Sequence, residues 1–245
     1  AGADALGCDR RHAASASTGC GRMTALASKR SPARRQKAGR RKRSVVTIVP
    51  SLSSSRKRPR ANQRSMSAAA STSSARAVAV SSATAALHIS CLALGLGPND
   101  WLWTTPNTFV ASANCALYCG ALVDFVDIDP RTYNLCPRKL EEKLIAAAQA
   151  GKLPKIVVPV HLTGQPCDMA AIHALGQKYG FKIIEDASHA IGGQYKGEPI
   201  GNGRYSDMTV FSFHPVKIIT TAEGGMVLTN SAELATRLGL LRSHG

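Results

Sequence analysis

The second part of the chain, from about residue 76 onward, alternates short apolar runs with longer segments of helical period. Seven apolar runs predict strands, over 77–80, 102–104, 121–126, 155–160, 181–185, 208–213 and 225–229. Between them, apolar residues recur at helical spacing and predict helices over 84–94, 109–118, 140–150, 168–179 and from 230 or 231 to 241. Because the predicted strands are mostly apolar and do not alternate with polar residues, the pattern predicts an α/β fold, a mostly parallel sheet with helices on both faces.

Local signals set the expected ends of two of these helices. The sequence PNT (106–108) is predicted to cap a helix over 109–118, since polar side chains can accept the free amides of a first turn. Glu141 and Glu142 are predicted to lie in the first turn of the helix over 140–150, where the helix dipole favours negative charge.

Charge separates the chain into two segments. Of 245 residues with a net charge of +16, residues 1–75 hold 17 of the 31 Lys and Arg but only 2 of the 15 Asp and Glu, so residues 76–245 are close to neutral. The basic segment is low in complexity and sustains no apolar period, so it is predicted to be disordered. Residues 76–245 are long enough for one packed domain.

The basic segment has three interpretations. It resembles an organelle transit peptide, and its RKR clusters also resemble a nucleic-acid-binding tail. The third interpretation, which we favour because the predicted domain begins so abruptly after it, is a stretch that was never selected as protein. Since the charge belongs to this segment alone, nucleic acid is not an expected partner of the second part.

Cysteine usage and hydropathy indicate a cytoplasmic protein. The seven cysteines are an odd number without a CxxC pair, and Cys115 and Cys119 have no suitably spaced histidines, so we expect free thiols and no metal site. Residues 77–97 lack charge but are too polar for a membrane span.

Three predicted strand ends carry candidate chemistry, since ligands of such sheets bind beyond the carboxyl ends of the strands. Ser82, Ala83 and Thr84 begin a helix and can bind an anion, although ordinary helix capping explains them equally well. In IIEDASHAIG (183–192), Asp186 is either a turn residue or the partner of a buried cation, and His189 is near it.

The third strand end carries a lysine. In FSFHPVKIITTAEGG (211–225), Lys217 lies in an apolar stretch just after a strand, where desolvation makes an amine a nucleophile toward aldehydes. A lysine extending to solvent from a strand end is the plainer interpretation. His161 can line the same edge, although loop packing explains it as well, and Asp127 and Asp129 are attributed to a turn.

Six motifs in order resemble the DegT/DnrJ family of nucleotide-sugar aminotransferases, from about Ala77 to Gly245. They are SSATAALH, PNTFVASAN, FVDIDPRTYN, HLTGQPCDM, IIEDASHAIG and FSFHPVKIITTAEGG. The last is most similar to the branch that makes the pseudaminic acid precursor. The resemblance implies the large domain of fold type I enzymes of pyridoxal 5′-phosphate (PLP).

The resemblance also implies roles for seven residues. Lys217 matches the lysine that holds the cofactor as a Schiff base and shuttles a proton, and Asp186 matches the carboxylate that pairs with the pyridine nitrogen. His189 matches a contact to the ring phenol oxygen, and Phe109 matches the aromatic residue stacked on the ring. The phosphate-binding positions are matched by Ala83, Thr84 and Ser212.

The implied reaction moves the amino group of L-glutamate to the C-4 ketone of a UDP-linked 4-keto-6-deoxy sugar, for surface polysaccharide biosynthesis. Related dehydratases of the family carry histidine at the position of Lys217. Members of the family are homodimers and are longer than this chain at both ends. Their C-terminal small domain adds substrate contacts. A catalytically incomplete fragment, and a basic nucleic-acid-binding tail on a PLP-binding domain, therefore remain alternatives.

Overall fold

The computed structural model describes residues 76–244, so the prediction that residues 1–75 are a disordered basic segment lies outside the described residues. The strands of this part are β1 (Arg76–Val80), β2 (Trp101–Thr104), β3 (Leu122–Phe125), β4 (Ile156–Val158), β5 (Lys182–Asp186), β6 (Gln194–Tyr195), β7 (Glu198–Pro199), β8 (Met208–Ser212) and β9 (Gly225–Thr229). The α-helices are α1 (Ala83–Ala93), α2 (Ala111–Tyr118), α3 (Pro137–Gln149), α4 (Met169–Tyr179) and α5 (Ala232–Arg242).

Seven strands form one sheet in the order β1-β9-β8-β5-β4-β2-β3, and β6 pairs with β7 in a separate hairpin. The strands from β8 to β3 are parallel, whereas β9 is antiparallel to both of its neighbours. The prediction of a mostly parallel α/β sheet is confirmed. The parallel order brings the carboxyl ends of β4, β5 and β8 to one edge.

Alternate residues of the central strands enter two different cores. Leu102 and Ile184 pack on the face that α1, α2 and α5 cover, and their chain neighbours Trp103 and Ile183 pack on the face that α3 and α4 cover. Each of these four side chains is at most 3% exposed. Burial on both faces is the reason that these strands are mostly apolar, and it confirms the predicted helical layers.

Two predicted helix starts are wrong. Helix α2 begins at Ala111 rather than at residue 109, and its N-terminus has no side-chain cap, because the Thr108 hydroxyl contacts the side chain of Ser112 instead of a first-turn amide. Helix α3 begins at Pro137, which suits a first helical position because it needs no amide hydrogen. Glu141 and Glu142 therefore lie in its second turn.

Three other helix ends agree with their local signals. Asp168 accepts the Ala171 amide at the start of α4, and Gly180 ends that helix in the left-handed region at φ 82°. Ser231, rather than Asn230, caps α5 by accepting the Leu234 amide. All five cysteines of the described part are free thiols. Between residues 76 and 244 we find no helix with the length and apolar character that crossing a membrane requires.

Candidate active site

A cavity of about 380 Å³ lies at the sheet edge where β5 and β8 end and where α1 and α2 begin. Its walls include all seven residues that sequence reasoning selected, which are Ala83, Thr84, Phe109, Asp186, His189, Ser212 and Lys217. These residues are up to 134 positions apart in the chain, and the parallel strand order brings them together. Their chemical roles stay predictions.

Asp186 is the last residue of β5 and is only 5% exposed. Its Oδ1 accepts hydrogen bonds from the backbone amide and the hydroxyl of Ser188, at 3.1 and 2.6 Å. Its Oδ2 accepts the hydroxyl of Ser112 at 2.6 Å. All three donors are neutral, and no ion pair to Asp186 is formed within residues 76–244. A buried carboxylate without a cationic partner fits a site that takes up a cation.

His189 and Lys217 form a direct contact in the same cavity. The Lys217 Nζ lies 2.7 Å from the His189 Nε2. Burial, and then the positive charge of Lys217, lower the pKa of His189, while the charge of Asp186 acts in the opposite direction. A neutral imidazole can accept a hydrogen from the lysine ammonium, so this pair holds the amine toward the cavity.

Lys217 is less enclosed than its sequence context indicated. It is half-buried and lies in a run of turns after β8, and the neighbouring Val216 and Ile218 are 78% and 68% exposed. Two backbone hydrogen bonds fix the turns of this segment, from the Lys217 amide to the His214 carbonyl and from the Thr221 amide to the Phe213 carbonyl. The apolar neighbours therefore form a rim around the lysine rather than a core.

The predicted anion site lies at the start of α1. Ser82 caps this helix by accepting the Ala85 amide at 3.1 Å, and the amides of Ala83 and Thr84 belong to the first turn, which has no intrahelical acceptors. Ser212 ends β8 and pairs in register with Gly225 of β9. Ala83, Thr84 and Ser212 all line the cavity, and first-turn amides together with a hydroxyl are groups that can bind a phosphate.

Phe109 lies at the mouth of the cavity. Its side chain is 72% exposed, and it belongs to the loop that leads into α2. The neighbouring Val110 is 55% exposed. Ring stacking by Phe109 therefore stays a prediction, for a side chain that lines the cavity and is open to solvent.

Sequence reasoning missed several polar residues that support Asp186. Ser112 and Thr108 form a hydroxyl pair with 2.8 Å between their oxygens. The sequence signal for Ser112 was weak, because a single serine in an apolar helix is common. Ser188 had a local signal, since it follows an aspartate by two positions, the spacing at which a side chain commonly accepts an amide.

A buried pair of His161 and Glu185 lies next to the cavity. The His161 Nε2 is 2.8 Å from a Glu185 oxygen, and the His161 Nδ1 accepts the Cys167 amide at 3.2 Å. Because Nδ1 is an acceptor, the ring hydrogen lies on Nε2 and is donated to Glu185. The hydroxyls of Ser206 and Thr209 donate to the other carboxylate oxygen. The backbone amide of His161 also donates to the Asp186 carbonyl at 3.0 Å, so this pair anchors the end of β5.

A larger cavity of about 890 Å³ lies beside the start of α3. Its arginines already have partners, since Arg131 pairs with Asp129 at 3.0 Å and Arg138 pairs with Glu142 at 2.5 Å. Residues 76–244 contain no cluster of three or more side chains suited to a metal ion. The smaller cavity, which combines an amine, a buried carboxylate and free amides, is therefore the candidate active site.

Comparison with known proteins places the chain in a family. Residues 43–245 match the model of the "DegT/DnrJ/EryC1/StrS aminotransferase family". GDP-perosamine synthase of Caulobacter vibrioides is 43% identical over 158 residues, which cover 64% of this chain and 40% of that protein. The spore coat polysaccharide biosynthesis protein SpsC of Bacillus subtilis is 43% identical over 153 residues, 62% of this chain and 37% of that protein.

Solved structures agree with these relatives. Helicobacter pylori PseC, an aminotransferase of pseudaminic acid biosynthesis, has a TM-score of 0.61 and 33% identity over 69% of this chain and 44% of its own. NtdA from Bacillus subtilis, solved with the bound cofactor PMP, has a TM-score of 0.59 and 35% identity over 67% of this chain and 35% of its own. The chain spans about two fifths of the length of the curated relatives that it matches. On the family model, the relatives and the fold together, this chain belongs to the DegT/DnrJ/EryC1/StrS aminotransferase family.

Proposed function

We propose that this chain carries the cofactor-binding part of a PLP-dependent nucleotide-sugar aminotransferase. Its reaction transfers the amino group of L-glutamate to the C-4 ketone of a UDP-linked 4-keto-6-deoxy-HexNAc sugar. The observation that carries the proposal is the presence in one cavity of both the amine of Lys217 and the buried carboxylate of Asp186, whose hydrogen-bond donors are all neutral.

The cavity residues fit the cofactor of this family, which is pyridoxal 5′-phosphate. Asp186 is buried and lacks a cation, and a protonated ring nitrogen supplies one. The first-turn amides of α1 and the hydroxyl of Ser212 suit the phosphate. Lys217 suits the aldehyde, because a lysine amine can attach to a carbonyl carbon.

The residues of the cavity have distinct roles in the proposed reaction. When bound, PLP supplies an aldehyde and an electron-accepting ring. Asp186 holds a proton on the ring nitrogen, and Ser112 and Ser188 orient its carboxylate. Once its amine is free, Lys217 acts through Nζ, first as a general base that takes a proton from one carbon atom and then as a general acid that returns it to another. His189 accepts a hydrogen from this amine and keeps it directed into the cavity.

The sugar class is supported by the relatives rather than by the cavity. PseC acts in pseudaminic acid biosynthesis, and the SFHPVK motif of this chain (212–217) resembles that branch. We therefore propose the activity of UDP-4-amino-4,6-dideoxy-N-acetyl-β-L-altrosamine transaminase. The similarity to GDP-perosamine synthase makes a GDP-linked keto sugar the competing acceptor.

Absorption spectroscopy tests the cofactor assignment. The purified chain with PLP is expected to show a visible band of lysine-bound cofactor that shifts on addition of L-glutamate. Lys217→Ala should remove this band, whereas Lys152→Ala, at an exposed lysine outside the cavity, should retain it. A band that persists in Lys217→Ala would contradict the role of Lys217.

Amino transfer requires a second assay, with UDP- and GDP-linked 4-keto-6-deoxy sugars offered in parallel and glutamate consumption followed. Transfer to the UDP-linked sugar alone supports the proposed acceptor, and transfer to the GDP-linked sugar alone overturns it. Lys217→His should abolish transfer, because imidazole cannot attach to the aldehyde as an amine does. Transfer retained in this variant would overturn the assignment of the lysine.

The alternative of a catalytically incomplete fragment makes a distinct prediction. A chain that forms the band but does not respond to glutamate binds cofactor without completing the first half of the reaction. We also propose a homodimer, because Phe109, Val216 and Ile218 expose apolar surface around the cavity. A cytoplasmic location is proposed separately, from the free thiols of the described residues. Size-exclusion chromatography with light scattering tests the dimer, and a monomer at micromolar concentration would contradict it.

A further inference from the structure

The carboxylate of Asp186 is held from two directions that are not equivalent. Ser188 follows it by two positions, so its two hydrogen bonds belong to the same loop and move with Asp186. The hydrogen bond from Ser112 comes from α2, 74 positions away in the chain. Ser112 therefore provides the side-chain hydrogen bond that ties the carboxylate to another element of the fold.

The direction of the hydrogen bonds follows from the chemistry of the three side chains. An ionised carboxylate only accepts, so the single hydroxyl hydrogen of Ser112 is donated to Asp186. The contact of 2.8 Å between the Thr108 and Ser112 oxygens must then be donated by Thr108. The result is a directed chain from Thr108 to Ser112 to Asp186, in which each hydrogen bond polarises the next.

This chain of hydroxyls also reaches the loop that carries Phe109. Ser112 is fully buried, and its backbone amide donates to the Phe109 carbonyl at 3.1 Å. Thr108 precedes Phe109 directly and lines the cavity. One buried serine thus contacts both the carboxylate and the loop of the aromatic residue.

We propose that Ser112 is a positioning residue that orients the Asp186 carboxylate toward the ring nitrogen of the cofactor, with Thr108 as its hydrogen-bond donor. The proposal rests on the proposed function, since it takes PLP as the ligand of this cavity. A rotation of the carboxylate about its Cβ–Cγ bond would weaken the contact with a ring cation without removing the charge. Ser112 opposes this rotation because its bond to Oδ2 is short and buried.

The test compares PLP with an analogue that has C–H in place of the ring nitrogen. Both ligands keep the aldehyde and the phosphate, so their affinity ratio measures the contact with Asp186 separately from the rest of the site. Dissociation constants are measured by absorption titration of the full chain. We expect the wild type to bind PLP more tightly than the analogue. In Ser112→Ala this affinity ratio should be roughly tenfold smaller, the size expected for loss of a hydrogen bond to a charged group.

Ser90→Ala is the matched control. Ser90 is also a fully buried helical serine, in the adjacent α1, but its hydroxyl has no hydrogen-bond partner within the described part of the chain. We expect Ser90→Ala to leave the affinity ratio unchanged. Ser112→Thr retains the hydroxyl and should restore most of the preference, whereas Thr108→Val should give a smaller loss than Ser112→Ala.

The outcomes separate this inference from the function on which it rests. A wild-type chain that binds PLP no better than the analogue contradicts the role of Asp186, and the inference falls with it. A wild type that discriminates while Ser112→Ala discriminates equally well overturns the role of Ser112 alone. A loss of affinity for both ligands in equal proportion also overturns it, because a general folding defect would have that effect.

Discussion

Gly225 packs so closely against the peptide group of Ala83 that a β-carbon on Gly225 would lie 2.6 Å from the Ala83 nitrogen. Real β-carbons do not approach backbone atoms to this distance, and a backbone cannot move aside as a flexible side chain can. The glycine lets β9 pass directly beneath the start of α1. Ser212, its partner in β8, is thereby placed next to the first-turn amides of that helix.

We expect Gly225→Ala to displace the start of α1 and to lower the free energy of unfolding by about 1–3 kcal/mol, the usual cost of overpacking. It should also weaken PLP binding, because the first-turn amides move away from Ser212. Urea unfolding and an absorption titration with PLP measure the two effects.

Gly239→Ala is the matched control for this substitution. Gly239 lies within α5, and a β-carbon there meets no atom within 4 Å. Alanine should therefore stabilise the helix by roughly 0.5–1 kcal/mol and leave PLP binding unchanged. Equal stability of the two variants would contradict the close approach of Gly225 to Ala83.

The pair of His189 and Lys217 predicts a dependence of stability on pH. Burial and the charge of Lys217 lower the pKa of His189 below its ordinary value near 6.5. The unfolded chain therefore binds a proton first as the pH falls, and the contribution of neutral His189 to stability is present above about pH 6.5 and is lost below it.

We expect the unfolding free energy of the wild type to fall more steeply between about pH 7 and 5 than that of His189→Asn, which cannot titrate. Urea unfolding at several pH values measures the two slopes. The same slope in wild type and His189→Asn would refute the prediction.

The buried pair of His161 and Glu185 predicts a large effect on stability. His161→Ala leaves the Glu185 carboxylate buried without its histidine donor, and only the two hydroxyl contacts remain. Loss of one member of a buried pair should lower the unfolding free energy by about 3 kcal/mol. Glu185→Gln should cost less, because its amide oxygen still accepts the histidine hydrogen.

Chemical unfolding of these variants provides the measurement. His173→Ala removes a histidine whose Nδ1 contacts the Tyr205 carbonyl at 3.2 Å, and it should cost less than His161→Ala because its site is partly open to solvent. If His161→Ala is no more destabilised than His173→Ala, the pair does not anchor the end of β5 as we describe.

The thiols of the described residues differ in their predicted reactivity. A hydrogen bond with Cys91 lowers the pKa of Cys119, whereas burial raises the pKa of Cys167 to about 12. Cys91 has a pKa well above the usual range because of hydrogen bonds with Cys115 and Cys119. The thiolate is the reactive form, and Cys119 is also the more accessible thiol.

We therefore expect iodoacetamide at neutral pH to alkylate Cys119 first among the five described cysteines, and Cys167 to react only on unfolding. Peptide mass spectrometry over a time course gives the order. Cys119→Ser should remove the fast reaction without exposing Cys167. Early modification of Cys167 in the folded chain would contradict this assignment.

The order of strands and helices could be predicted from the sequence, because strands that are buried on both faces contain few polar residues. Runs such as 155–160 and 208–213 are mostly apolar, and the strands within them are fully buried. Helix starts were less predictable. The hydroxyl of Thr108 had two possible partners, a local amide or a distant side chain, and only packing decided between them.

By itself, the sequence determined the α/β class and the family, and it identified Asp186, His189 and Lys217 as candidate site residues, because strand ends and motifs are local features. The tertiary structure decided that Ser112 donates to Asp186, that Gly225 lies against Ala83, and that His161 pairs with Glu185. These contacts join residues 24 to 142 positions apart, and their partners depend on strand order and helix packing. Local periodicity carries no information about contacts between residues so far apart in the chain, so only the tertiary structure shows which polar groups are in contact.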